Sequence, residues 1–111
     1  MTEDEARALA LALPAAVERD HHGFPSFRVR EKIFATLPDG DTLRVMLDAD
    51  AAEGAASADP AWCSVLRWGA RISGVAVHLP VADPAAVTDL LADAWRRRAP
   101  ARLVRDFDQA G

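Results

Sequence analysis

Residues 83–103, DPAAVTDLLADAWRRRAPARL, decide how the rest of the chain has to be arranged. Asp83 is suited to cap a helix, because its carboxylate can accept from the free amides of the first turn. Pro84 follows at the first helical position, where a missing N–H costs nothing. Val87, Leu90, Leu91, Ala94 and Trp95 then recur at helical spacing and form one broad apolar stripe. Arg96, Arg97 and Arg98 fill the last turn, where positive charge complements the helix dipole. Pro100 ends this helix or turns it into a second short piece carrying Leu103, Val104 and Phe107. A stripe that wide must lie on an apolar surface. The middle of the chain reads as the sheet that supplies it.

Upstream of the long helix, residues 62–68 and 72–79 read as a pair of strands, with Gly69 marking a turn and Gly74 a bulge. Val75, Val77 and Leu79 face one way, Ala76 and His78 the other. Before them, Asp50-Ala-Ala-Glu53 resembles a capping box opening a short Ala-rich helix that ends ahead of Asp59-Pro60. Leu43, Val45 and Leu47 alternate with Thr42, Arg44 and Met46 in a strand, and residues 33–37 form another, joined through Pro38-Asp39-Gly40-Asp41. Phe27 and Val29 alternate with Ser26, Arg28 and Arg30, which puts basic side chains on an outer face, with a tight turn expected at Glu31-Lys32. Gly23-Phe24-Pro25 reads as a turn, and residues 17–21 as a weak first strand. Thr2-Glu3-Asp4-Glu5 is a capping box for a first helix over residues 3–13. The expected fold is α+β: an antiparallel β-sheet with the N-terminal and long C-terminal helices on one face, as a single domain over residues 1–111.

Composition narrows the function classes. The chain has 111 residues, half of them apolar, and a net charge of −4. No apolar run approaches the roughly 20 residues of a membrane span. The first residues are acidic where a secretory leader would be basic, so the expected compartment is the cytoplasm. The single cysteine, Cys63, reads as a small buried hydrophobe. The charge is uneven: residues 1–61 carry six basic and twelve acidic side chains, residues 62–105 seven arginines and three aspartates.

Catalytic and metal-binding patterns are weak. His21 and His22 are adjacent on an expected strand, where neighbouring side chains point to opposite faces and cannot chelate one ion. Cys63 and Ser64 lack a nucleophile motif, the paired carboxylates lie at turns and caps, and neither common phosphate-loop pattern occurs. The expectation is a non-enzyme without cofactor or metal. What remains is the basic set. Arg28, Arg30 and Lys32 sit on one hairpin, with Arg44 on a neighbouring strand. Arg67, Trp68 and Arg71 sit on another hairpin, and Arg96, Arg97, Arg98 and Arg102 follow the long helix. Arginine pairs with phosphates and tryptophan stacks on bases. The plainer alternative is solvated charge paired with Glu31, Asp39 and Asp41, and tryptophans in the core.

Gly23-x-Pro25-Ser26-Phe27-Arg28-Val29-x-x-Lys32-Ile33-Phe34-Ala35-Thr36-Leu37 resembles the N-terminal signature of the MmcQ/YjbR family of small bacterial proteins. Trp68-Gly69, Val75-x-Val77-x-Leu79, and Ala94-Trp95-Arg96-x-x-Ala99-Pro100-x-Arg102-Leu103 fit the same family in the same order. The resemblance implies a frataxin-like (CyaY-like) fold and a DNA-binding role through two hairpin wings. It carries Arg28, Lys32 and Arg102 forward as exposed binding positions. The expected function is therefore a non-catalytic nucleic-acid-binding module using Arg28, Arg30, Lys32, Arg44, Arg67, Trp68, Arg71 and Arg102, with DNA as the partner. The alternative is a protein- or small-ligand-binding domain. A third reading, implied only by the frataxin-like fold, is iron handling through Glu3, Asp4 and Glu5.

Overall fold

The computed structural model describes residues 1–110. The long helix spans Pro84–Arg98 and is capped as its sequence requires: the Asp83 carboxylate accepts from the Ala86 amide at 3.1 Å. Elements occur in the order α1 (Glu3–Leu11), β1 (Val17–His21), β2 (Phe24–Val29), β3 (Lys32–Asp39), β4 (Thr42–Met46), α2 (Ala49–Ala58), β5 (Cys63–Trp68) and β6 (Arg71–His78). A short 3-10 turn then leads into α3 (Pro84–Arg98) and α4 (Ala101–Ala110). The six strands form one antiparallel sheet in the order β1-β2-β3-β4-β6-β5.

Pairing Leu43 with Val77 and Val45 with Val75 puts four branched side chains on one face. Phe27 and Ala35 continue that face onto β2 and β3. Onto it α3 presents Val87, Leu91, Ala94 and Trp95, all buried, while α1 adds Ala6 and Ala10 and α2 adds Ala52. α1 and α3 lie over β3 and β4, and α2 over β5 and β6. Among the described residues, α1, α2 and α3 leave the other face of the sheet uncovered.

Several sequence expectations shift locally. The first hairpin turns at His22-Gly23, both with positive φ, so Phe24 and Pro25 belong to β2 rather than to the turn. His22 therefore sits in a turn, and its ring lies 4.5 Å from that of His21 instead of on the opposite face. The second hairpin turns at Arg30-Glu31, because Val29 pairs with Lys32. The helix α2 is capped by Asp48, whose carboxylate accepts from Ala51, two residues ahead of the box read at Asp50. β4 ends at Met46, so the chain enters the helix at once.

Bulges set the shape of the bare face. Between Ala35 and Ile33 the β2–β3 register slips, leaving Phe34 unpaired and buried and Ile33 opposite Arg28. A second slip leaves Ser73 unpaired between Ile72 and Gly74. At Gly74 the β4 backbone comes so close that an added Cβ would overlap the Val45 carbonyl oxygen. Gly74→Ala is therefore expected to destabilise the fold by about 3 kcal/mol, the upper part of the usual overpacking range. Urea titration reads this directly, and a loss under about 0.5 kcal/mol would mean that β4 yields freely.

The N-terminal capping box forms in full: Thr2 Oγ1 accepts from the Glu5 amide, and Glu5 Oε1 from the Thr2 amide. The Thr2 amide, and after it the Thr2 hydroxyl, hold the Glu5 carboxyl below its ordinary 4.5. The folded-state value is depressed, so this contribution is complete above pH 4.5 and fades as pH falls through the lowered value. Glu5→Gln keeps the capping geometry without the titration. Its melting temperature should consequently fall less steeply than that of the wild type below pH 4.5, which thermal melts across the acid range will show.

Candidate nucleic-acid interface

The alternation that buries Leu43 and Val45 turns Arg44 and Met46 outward, and the register places Thr36 and Ala76 beside Arg44. Phe24, Ser26 and Arg28 continue this outer face onto β2. With α1, α2 and α3 packed on the opposite side, the outer face forms a trough of about 640 Å³. Its apolar lining comes from Phe24, Ile33, Met46 and Leu66. Arg28, Lys32, Arg44, Arg67 and Arg98 bring five cations to it against one carboxylate, Glu31.

None of those five cations is ion-paired among the described residues; the salt bridges there belong to Arg7, with Glu3, Asp4 and Glu18, and to Arg96, with Asp93 and Asp108. Asp39 accepts from the Asp41 amide at 2.9 Å, which holds its carboxyl below the ordinary range, with Arg44 a lesser contributor. Arg28 donates from Nε to Ser26 Oγ, whose hydroxyl donates to the Arg19 carbonyl, so its guanidinium is held by a neutral partner. Arg98 Nε is shielded from solvent with no hydrogen-bond partner among the described residues.

At one end of the trough, the β5–β6 hairpin turns at Gly69-Ala70. Gly69 has a φ of +64°, and Ala70 is not among the positive-φ positions, the pattern of a II′ turn with glycine first. This turn holds Trp68 out in solvent at 82% exposure, while Trp62 and Trp95 are buried. Trp68 also lines a second hollow, where Arg71, Arg97 and Arg98 gather and which shares Met46 and Ser73 with the trough.

The structure thus brings together Arg28, Lys32, Arg44, Arg67 and Trp68, and sets Arg71 just beyond them. Arg30 does not share the strand face with Arg28. It occupies the β2–β3 turn with φ +50°, next to Glu31 at +68°, because a I′ turn matches the twist of the flanking strands. Lys32 belongs to β3 rather than to the turn. Arg102 is exposed on α4 and lines neither hollow. Arg98, which the sequence groups with the basic cluster at the end of α3 but not with the binding positions, also lines the trough.

Other candidate chemistry is occupied or shielded. Glu3 and Asp4 pair with Arg7, and Glu5 completes the capping box. Burial, and then the charge of Asp59, push the Cys63 thiol up, away from a reactive thiolate. Among the described residues, no cluster of three His, Cys, Asp or Glu is placed to hold a metal ion, and no helix is long and apolar enough to cross a membrane.

Fold and face together define an α+β protein whose sheet keeps one side bare, concave and rich in unpaired cations. The model of the YjbR family matches residues 11–97, which span all six strands and most of α3, and the chain belongs to that family. No curated protein and no solved structure matches it. Arg98, Arg102 and all of α4 lie outside the matched segment.

Proposed function

We propose that the protein is a non-catalytic nucleic-acid-binding module that holds DNA on the bare face of its sheet. The observation that carries this reading is the five-to-one excess of unpaired cations over carboxylates in a single concavity with an exposed tryptophan at its rim. The overall charge of −4 does not oppose it, because many acidic groups are engaged away from this face. Glu5 and Asp83 cap helices, while Glu3, Asp4 and Glu18 surround Arg7. Arg28, Lys32, Arg44 and Arg67 would neutralise phosphates and Trp68 would stack, with Arg71 extending the surface. Arg30 and Arg102 fall outside this contact set.

The test is fluorescence anisotropy of the purified protein against random-sequence DNA. Micromolar binding at about 50 mM salt that weakens steeply at about 200 mM is expected. No binding at the lower salt overturns the proposal. The trough also has the volume of a small-molecule site, about 300–1,000 Å³. A small anionic ligand in the same place, with no nucleic-acid role, is the second reading. Inorganic pyrophosphate raising the melting temperature while DNA leaves it unchanged would favour that reading.

A further inference from the structure

The two hollows on either side of Trp68 have a geometry that selects among nucleic acids. The β2–β3 and β6–β5 hairpins are separated by β4 alone, so their midlines lie three interstrand spacings apart, about 14 Å. Arg44 lies on β4, the strand between those tips, and not on a tip itself. A duplex, which is wider than its own major groove of about 12 Å, does not descend between tips that leave a single strand, about 5 Å, of clear sheet between them. Its bases are also stacked on one another, leaving no free face for a protein aromatic to take.

An extended chain with a negative charge on every unit and a flat ring beside each charge meets no such obstacle. The first hollow, of about 640 Å³, offers Arg28, Lys32, Arg44 and Arg67 over an apolar lining. The second, of about 510 Å³, offers Arg71 and Arg97 beside one carboxylate, Asp48, which is engaged in capping α2. Between them stand Trp68, exposed on 82% of its surface, and Arg98, whose shielded Nε has no partner among the described residues. Cations on both sides of an exposed indole suit phosphates that flank a stacked base. A ligand confined to one hollow would leave the other set of arginines without a role.

Resting on the nucleic-acid reading above, we infer that the occupant is an unpaired strand, which runs from the sheet trough over Trp68 into the hollow beside Arg71 and Arg97. One base stacks on the indole, and phosphates on its two sides meet the two groups of arginines. The strand is single-stranded DNA; an RNA arm in the same experiment shows whether a 2′-hydroxyl is tolerated.

The experiment compares a thymidine homopolymer of twelve nucleotides, the matching uridine homopolymer and a twelve-base-pair duplex, at about 50 mM salt, by anisotropy and by intrinsic tryptophan fluorescence. The homopolymer should bind at least about ten-fold tighter than the duplex and quench the fluorescence of the exposed Trp68. Trp68→Ala should lower strand affinity about five-fold or more, the range of one lost base stack. Arg71→Glu should weaken the strand several-fold, which a ligand held in the trough alone would not show. Both positions are exposed, so circular dichroism should match the wild type. A duplex that binds as tightly as the strand, or a Trp68→Ala variant that binds the strand like the wild type, overturns the inference while the nucleic-acid reading survives. Binding of neither DNA overturns both.

Discussion

Trp95→Ala is expected to lower the unfolding free energy by about 3–5 kcal/mol, the usual loss for a large aromatic removed from a core. Trp95 is fully buried, and its Nε1 donates to the Pro14 carbonyl at 2.9 Å. Its ring also meets Phe107 at 5.0 Å with the planes tilted by 57°. One side chain on α3 thus ties down the loop that follows α1 and the helix α4. Truncation opens a cavity between α3 and the sheet, and the Pro14 carbonyl loses its donor, a further cost of about 1–3 kcal/mol if water does not reach it. Small domains have roughly 5–15 kcal/mol in total, so the variant should be close to the folding limit at 37 °C. Trp95→Phe keeps most of the ring but not the donor, and should recover more than half of the loss. Urea titration of both variants separates packing from the hydrogen bond. A Trp95→Ala loss below about 1.5 kcal/mol would contradict this account of the core.

The second large effect is on binding. Arg28→Glu combined with Arg44→Glu should weaken DNA binding by at least about 100-fold at 50 mM salt, since two charge-assisted contacts of about 1.5–3 kcal/mol each are lost. Arg44 is exposed and forms no ion pair among the described residues, and Arg28 holds only a neutral serine. The folded protein should tolerate both changes. Reversing Arg102 instead, on α4 and outside both hollows, should change affinity much less. Comparable losses at Arg102 and at Arg44 would mean that affinity follows net charge rather than the trough.

The elements that local chemistry specifies were the most legible in the sequence. Asp83-Pro84 and the Val87-to-Trp95 stripe define α3, the Thr2–Glu5 box starts α1, and alternation around Leu43 and Val45 assigns the two faces of β4. The Gly69 turn followed from glycine's backbone freedom, while the bulge expected at Gly74 falls one residue earlier, at Ser73. The turn at Arg30-Glu31 was hidden because neither residue advertises a left-handed conformation; the Val29–Lys32 pairing imposes it, at a cost of about 1–2 kcal/mol per residue. Two aspartates two positions apart, Asp48 and Asp50, were both chemically able to cap α2, and the end of β4 at Met46 decided between them.

The candidate site was legible in its residue types and not in its shape. Basic and aromatic side chains could be assigned to hairpins from spacing alone. Their convergence depends on the non-local order β3-β4-β6-β5 and on two bulges. That order brings Met46, Leu66 and Arg98 to the same concavity as Arg28, and it leaves Arg30 out.

The measurement that tests the central claim most directly is the slope of log affinity against log salt for wild-type protein on a single-stranded DNA oligonucleotide. Each neutralised phosphate contributes about −0.7 to that slope, so the five cations of the trough with Arg71 and Arg97 of the second hollow predict a value near −5 between about 50 and 200 mM. The Arg28→Glu, Arg44→Glu protein should show a slope shallower by about 1.4. Binding with a slope shallower than about −1, or one unchanged by the double reversal, would contradict a phosphate-holding trough on this face of the sheet.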